Sequence, residues 1–216
     1  MPGRKVSEED RREDILRAAY DVAARHGVEA LTLRAVAARG AVSHGTVLFH
    51  FKRRNELLAS LLNRVLDATT VLRIPRVLES LTGSAELMAA LLRTEMERLS
   101  SDPRHFRLFL EYWALGVRYA PIRRKVSAAI DGYRAGFRTV AAAIAEEERD
   151  PLAPAPASLY ANAGETPDGL AALAVSFVHG CALQAVIDPK GFDVQQHVDA
   201  AARFLAVRAS PEPARR

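Results

Sequence analysis

Apolar residues recur at helical spacing through most of the chain. Ile15, Leu16, Ala19, Val22 and Ala23 share one face of a first segment, and Leu57, Leu58, Leu61, Leu62, Val65 and Leu66 share one face of another. A period near 3.6 predicts amphipathic helices that each bury one side. The same spacing predicts a helix over 86–99, with Leu87 and Leu91 on one line and Met88, Leu92, Met96 and Leu99 on the next. An aromatic stripe of Phe106, Phe109, Leu110, Trp113 and Val117 follows in a helix opened by Asp102-Pro103. Pro121 is expected to start a long helix to about Arg149, carrying Val126, Ile130, Tyr133, Phe137, Val140 and Ile144. Proline suits the first helical turn, where an amide has no partner to lose. Asp168 is expected to cap a helix to Ile187 that is apolar on most of its circumference, and a last helix, 193–208, is lined by Val194, Val198, Ala201, Ala202 and Leu205. No strand, repeat or heptad array emerges. The fold class expected is all-α, with about nine helices.

Punctuation fits this division. Ser7 before Glu8-Glu9-Asp10 is a helix start, with acids favouring the positive end of the dipole, and Gly27 is a C-terminal cap. Pro75 stops or kinks the helix that begins at Asn55. A short helix is expected over 76–81, a turn at Thr82-Gly83-Ser84, a proline-rich loop over 150–167, and disorder from Ala209.

The stretch from Leu31 to Leu58 carries the chemistry. Thr32 and Ser43 are good N-cap residues, each opening a helix of about two turns, with a break at Gly40-Ala41 between them. Two short helices across such a turn form a helix-turn-helix. Arg34, Arg39, Lys52, Arg53 and Arg54 are basic, and no acid lies from 34 to 54. Basic clustering on a compact helical unit is the footprint of phosphate binding.

The run Val42-Ser43-His44-Gly45-Thr46-Val47-Leu48-Phe49-His50-Phe51-Lys52-Arg53-Arg54-Asn55-Glu56-Leu57-Leu58, with Leu31-Thr32-Leu33-Arg34 and Val36-Ala37 upstream, resembles the signature of TetR/AcrR-family transcriptional regulators. Two positions depart from it. The family usually has Ala-Gly where this chain has Gly40-Ala41, and Ala tolerates a left-handed turn worse than Gly. The family usually has Tyr where this chain has Leu48, which removes one phosphate contact. The resemblance implies a helix-turn-helix DNA-binding domain over 1–54, an effector-binding and dimerisation domain over 55–208, and a tail over 209–216.

On that basis Thr32, Arg34, Ser43, His44, Gly45, Thr46, Phe49, His50, Lys52 and Arg54 are expected on double-stranded operator DNA. Arg34, Thr46, Lys52 and Arg54 should hold phosphates, and His44, Gly45 and Phe49 should face base edges. Met96, Phe109, Tyr112, Trp113, Tyr133, Phe137, Phe177, His179 and Gln184 are the expected lining of a pocket for a hydrophobic small-molecule effector. Leu173, Phe177, Cys181, Val194, Val198, Ala201, Ala202 and Leu205 are the expected homodimer interface. The alternative is a DNA-binding dimer without an effector, architectural or co-regulatory, for which a filled core would speak.

Composition narrows the rest. The net charge is +4; residues 1–58 carry 11 basic and 8 acidic side chains, and the remainder 19 and 18. The excess sits in the N-terminal quarter, which fits a basic head on a nearly neutral body. Cys181 is the sole cysteine, which fits a reducing cytoplasm. No secretory leader is expected, and the uncharged segment from Gly169 to Ile187 is expected to be a buried or interface helix rather than a membrane span. The six histidines form no HxxxH pair and no CxxC occurs, so no metal or cofactor is expected. His179 and Cys181 are two residues apart and point to nearly opposite helix faces. No nucleophile–base pair or phosphate loop is present, and an enzyme is not expected.

Overall fold

The computed structural model describes residues 7–72, 83–147 and 166–200. Its described residues are helical, with no strand among them, and fall into two compact units. The first joins Met1–Thr69 to Arg104–Ala129, and the second joins Thr70–Pro103 to Ile130–Arg216. Compactness therefore divides the chain elsewhere than at the expected boundary after Arg54.

In the first unit, α1 (Glu8–His26) opens on Ser7, whose Oγ accepts the Asp10 amide at 3.0 Å. It closes on Gly27 at φ 82°, a backbone shape that glycine adopts without strain. A single 3₁₀ turn (Val28–Ala30) leads to α2 (Leu33–Arg39), and α3 (His44–His50) follows the turn at 40–43. Ile15, Leu16, Ala19 and Val22 of α1 are buried, as are Val36, Val47 and Phe51; α1 packs against α2, and α2 against α3. Helix α4 (Arg54–Thr69) packs on α1 through Leu57, Leu61 and Val65. Arg64 pairs with Glu13 at 2.8 Å, and Arg12 donates to Ser60 at 3.0 Å while lying over the Phe51 ring. Helix α6 (Pro103–Arg118) completes the core with Phe106, Phe109 and Tyr112, and the Tyr112 hydroxyl donates to the Leu58 carbonyl at 3.0 Å. Helix α7 (Ala120–Glu147) begins in this unit.

In the second unit, α5 (Ser84–Ser101) packs against α8 (Pro167–Ile187), with the rest of α7. Met88, Leu92, Met96, Tyr133, Phe137, Val175 and Val178 are buried there. Gly136 is closely approached: a Cβ there would lie 2.9 Å from Cδ2 and 3.0 Å from Cβ of Leu72, so Leu72 would have to shift. Helix α8 is capped by Thr166, not by Asp168: the Thr166 hydroxyl accepts the Gly169 amide at 3.1 Å, and Pro167 occupies the first helical turn. Asp168 pairs instead with Arg138. Residues 194–200 are helical. The expected short helix over 76–81, most of the 150–167 loop and the tail from 209 lie outside the described residues.

Candidate DNA interface and the core of the second unit

The helix-turn-helix is built by its caps. Thr32 Oγ1 accepts the Ala35 amide at 3.1 Å, and Ser43 Oγ accepts the Thr46 amide at 3.0 Å and meets Thr46 Oγ1 at 2.8 Å. Between them the chain turns through a left-handed residue, Ala41, at φ 49°. The Val42 amide donates to the Ala37 carbonyl at 3.1 Å and the Ala41 amide to the Ala38 carbonyl at 3.4 Å. That pair of bonds is the Schellman closure of a helix, whose left-handed position usually holds glycine. Gly40 serves another purpose. Its φ is −84°, but a Cβ on it would lie 3.2 Å from the Ala18 Cβ of α1 and 3.3 Å from the Val36 carbonyl oxygen. The departure from the family's usual Ala-Gly order is thus a trade of conformational ease at 41 for close packing at 40.

Of the ten residues expected on DNA, Thr46 and His50 are half-buried and the other eight are exposed. Leu48 and Phe49 are left in water on α3, Phe49 at 69 % exposure, while Val47 on the opposite side is fully buried. A large apolar residue held out on a helix-turn-helix is suited to contact with a thymine methyl. The basic residues divide by partner. Arg39 pairs with Asp21. Arg34, Lys52 and Arg53 are exposed with no carboxylate within 4.0 Å among the described residues. Arg54 differs from its expected role as a phosphate ligand. Its guanidinium donates to the Leu31 carbonyl at 2.7 Å, the Val28 carbonyl at 2.8 Å and the Glu29 carbonyl at 3.4 Å, and so ties the start of α4 to the link between α1 and α2. Glu111 of α6 reinforces the same link by accepting the Val28 amide at 2.7 Å. Arg53, which lies in the same charge run but outside the expected set, is exposed beside Lys52.

The expected effector residues are not brought together in one unit. Phe109, Tyr112 and Trp113 belong to the first; Met96, Tyr133, Phe137, Phe177, His179 and Gln184 belong to the second. Tyr133 and Phe137 meet edge-on at 5.3 Å between ring centroids. Gln184 is exposed and its amide donates to the Gly180 carbonyl at 3.4 Å. The second unit also holds a polar group that periodicity did not reveal. Glu95 is fully buried; Arg98 grips it with Nη2 at 2.5 Å and Nε at 3.1 Å, and the Tyr133 hydroxyl donates to it at 2.6 Å. Burial and the Glu95 charge push the Tyr133 hydroxyl well above its usual range. His179 stacks on Tyr133 at 5.6 Å. Burial, with Arg98 and Arg134 nearby, pushes the His179 imidazole down to about 4, so the ring is neutral at physiological pH.

The expected dimer residues differ in their exposure within one protomer. Cys181 and Val198 are covered by the chain's own helices, at 4 % and 2 % exposure, and so face inward. Burial raises the Cys181 thiol above its usual range. Leu173 is 58 % exposed, with Phe177 and Val194 half-buried. Ala201, Ala202 and Leu205 lie outside the described residues. One helix among the described residues, Pro167–Ile187, is long and apolar enough to cross a membrane, a test that core helices of soluble proteins also pass. No group of three or more potential metal ligands occurs among the described residues.

Residues 15–61 match the family model for bacterial regulatory proteins of the tetR family. That match covers the helix-turn-helix head and the start of α4. Solved structures of transcriptional regulators extend the likeness of fold over the remainder of the chain. A protein from Pseudomonas aeruginosa PAO1 aligns with a TM-score of 0.71 at 20 % identity, covering 95 % of this chain and 94 % of its own. A protein from Saccharomonospora viridis, solved with choline, aligns at 0.70 and 18 % identity over 92 % and 96 %. The transcriptional regulator FadR from Bacillus subtilis, solved with stearoyl-CoA, aligns at 0.66 and 17 % identity over 89 % and 96 %. No curated protein matches the sequence.

Proposed function

We propose that this protein is a TetR-family regulator: a cytoplasmic, ligand-responsive transcriptional repressor that acts as a homodimer without catalytic chemistry. The observation that carries the reading is the exposed face of the helix-turn-helix. Three cations that form no ion pair among the described residues, Arg34, Lys52 and Arg53, flank an α3 whose Phe49 stands out in water. Arg34, Thr46, Lys52 and Arg53 hold phosphates and fix register, while His44, Gly45 and Phe49 read base edges. Ser43 and Thr32 position these groups through their caps, and His50 supports Phe49 edge-on. Two subunits place their α3 helices about 34–36 Å apart on a pseudo-palindromic operator.

The exposed side of α8, with Leu173, Phe177 and Ile187, supplies the apolar surface for a second copy. An effector that binds one arrangement of the dimer better shifts it away from the spacing that DNA requires. The choline and stearoyl-CoA in two structural neighbours support an effector of some kind for this chain, and its aromatic core favours a hydrophobic one. The rival reading, a DNA-binding dimer without an effector, draws on Met96, Tyr133 and Phe137, which are fully covered as in a filled core.

The test is operator affinity as a function of salt, on a site selected from random duplexes. Lys52→Ala and Arg53→Ala should weaken all sequences alike and each flatten the log–log salt slope by about one unit. Phe49→Ala should instead change which bases are preferred. Salt slopes unchanged in both cation variants would refute the assignment of this face.

A further inference from the structure

The first unit holds a groove of about 410 Å³ between the 3₁₀ turn, the N-terminal half of α4, the end of α6 and the first turns of α7. Its size falls within the roughly 300–1,000 Å³ of small-molecule sites. None of the nine expected effector residues lines it. Its walls are apolar: Leu58 and Leu62 from α4, Leu115 from α6 and Ile122 from α7. From Arg54 to Leu62 it follows α4 for roughly 12 Å.

The two ends differ in charge. At one end Glu29 and Arg54 both line the groove, so their charges offset each other, and the Arg54 guanidinium is already committed to backbone carbonyls. At the other end Lys125 donates to the Asn63 side-chain oxygen at 2.8 Å. That partner is neutral, and no carboxylate lies within 4.0 Å of Lys125 among the described residues. The groove therefore carries one uncompensated positive charge, at its Asn63 end, and the half-exposed ring of Tyr119 lies along its rim.

We propose that this groove is a binding site for a small amphiphile with a single carboxylate. The carboxylate sits on Lys125, and the chain runs along Leu58, Leu62, Leu115 and Ile122 toward Arg54. A neutral amphiphile leaves the ammonium uncompensated, and a cationic one is repelled by it. Because the far end of the site is Arg54, which ties down the link into α2, occupancy alters operator affinity. That last step rests on the proposed DNA-binding function; binding in the groove does not.

The experiment is calorimetric titration of the full-length protein with octanoate, octanol and octylamine. Octanoate should bind saturably and about tenfold tighter than either of the other two. Lys125→Ala, at an exposed position that leaves the fold intact, should abolish that preference, and Ile122→Trp, which fills the groove, should weaken octanoate about tenfold. Absence of saturable binding, equal affinity for octanol, or a preference that survives Lys125→Ala would overturn the site. If Ile122→Trp does not fold, the Lys125→Ala comparison decides alone. Operator affinity is then measured with and without octanoate. A change present in the unmodified protein and absent in Lys125→Ala supports the coupling, whereas unchanged affinity with octanoate bound overturns the coupling and leaves the site standing. Failure to bind any duplex would overturn the DNA-binding function and not the groove.

Discussion

Replacing Ala41 by glycine should stabilise the protein. Ala41 sits at φ 49°, in the left-handed position of the Schellman turn between α2 and α3. An L-residue with a Cβ loses roughly 1–2 kcal/mol there, and glycine does not. Glycine in exchange loses more freedom on folding, roughly 0.4–1 kcal/mol relative to alanine. The difference leaves a gain of about 0.5–1 kcal/mol, which for a chain of this size is a rise in Tm of roughly 1–4 °C. Ala41 is exposed, so no packing is lost. Urea unfolding at constant m-value reads the change directly. The neighbouring substitution is the control. Gly40→Ala places a Cβ 3.2 Å from Ala18 and 3.3 Å from a carbonyl oxygen, neither of which is the far end of a flexible chain, and overpacking of this kind costs roughly 1–3 kcal/mol. An Ala41→Gly variant that is less stable than its parent, or a Gly40→Ala variant that is more stable, would refute the assignment of conformation to 41 and of space to 40.

Three other outcomes follow from the same structure. His179 is pushed down to about 4 when folded and is near 6.5 when unfolded. The unfolded chain therefore takes up the proton first, and stability is lost as pH falls from 6.5 toward 4. The loss is roughly 2 kcal/mol by pH 5, and His179→Gln should flatten the fall in denaturant midpoint between pH 7 and pH 5; an unchanged pH profile would remove His179 as its source. Arg54→Ala should lower stability by roughly 1.5–3 kcal/mol, the worth of charge-assisted bonds to carbonyls, while leaving the salt slope of DNA binding closer to that of the parent than Lys52→Ala does. A slope flattened by a full unit without loss of stability would return Arg54 to the phosphate contacts. Leu173→Glu lies at an exposed site within one protomer, so folding should change by no more than about 0.5 kcal/mol. Light scattering should nevertheless show a monomer, and a persistent dimer would place the interface elsewhere.

What could be read before the structure was what depends on near neighbours. Ser7, Thr32 and Ser43 cap the helices they were expected to cap, because a cap bond spans only three residues. Gly27 closes α1 for the same reason. The apolar faces of α1, α4 and α5 were visible as periodicity. The Asp168 cap was misplaced by two residues because Thr166, the true cap, stood inside a proline-rich stretch that looked like loop. Roles set by distant partners were hidden. Arg54 reads as one more cation in a basic run, and only the fold brings the Val28 and Leu31 carbonyls to it. Glu95 reads as the polar side of an amphipathic helix, yet it is buried under Arg98 of its own helix and Tyr133, 38 residues away. Cys181 and Val198 looked equally suited to a partner or to the interior, since apolar character does not say which neighbour covers it.

The contact between Gly40 and Ala18 also limits the routes open to mutation. A lineage that reached the family's usual Ala-Gly order from this chain could accept glycine at 41 first, through a Gly-Gly intermediate. Alanine at 40 would then cost stability while Ala18 keeps its methyl group 3.2 Å from where the new one would stand. A prior exchange of Ala18 for glycine would open that path, at the cost of helix propensity in α1. Positions 18, 40 and 41 should therefore vary together, as one evolutionary unit split between two helices.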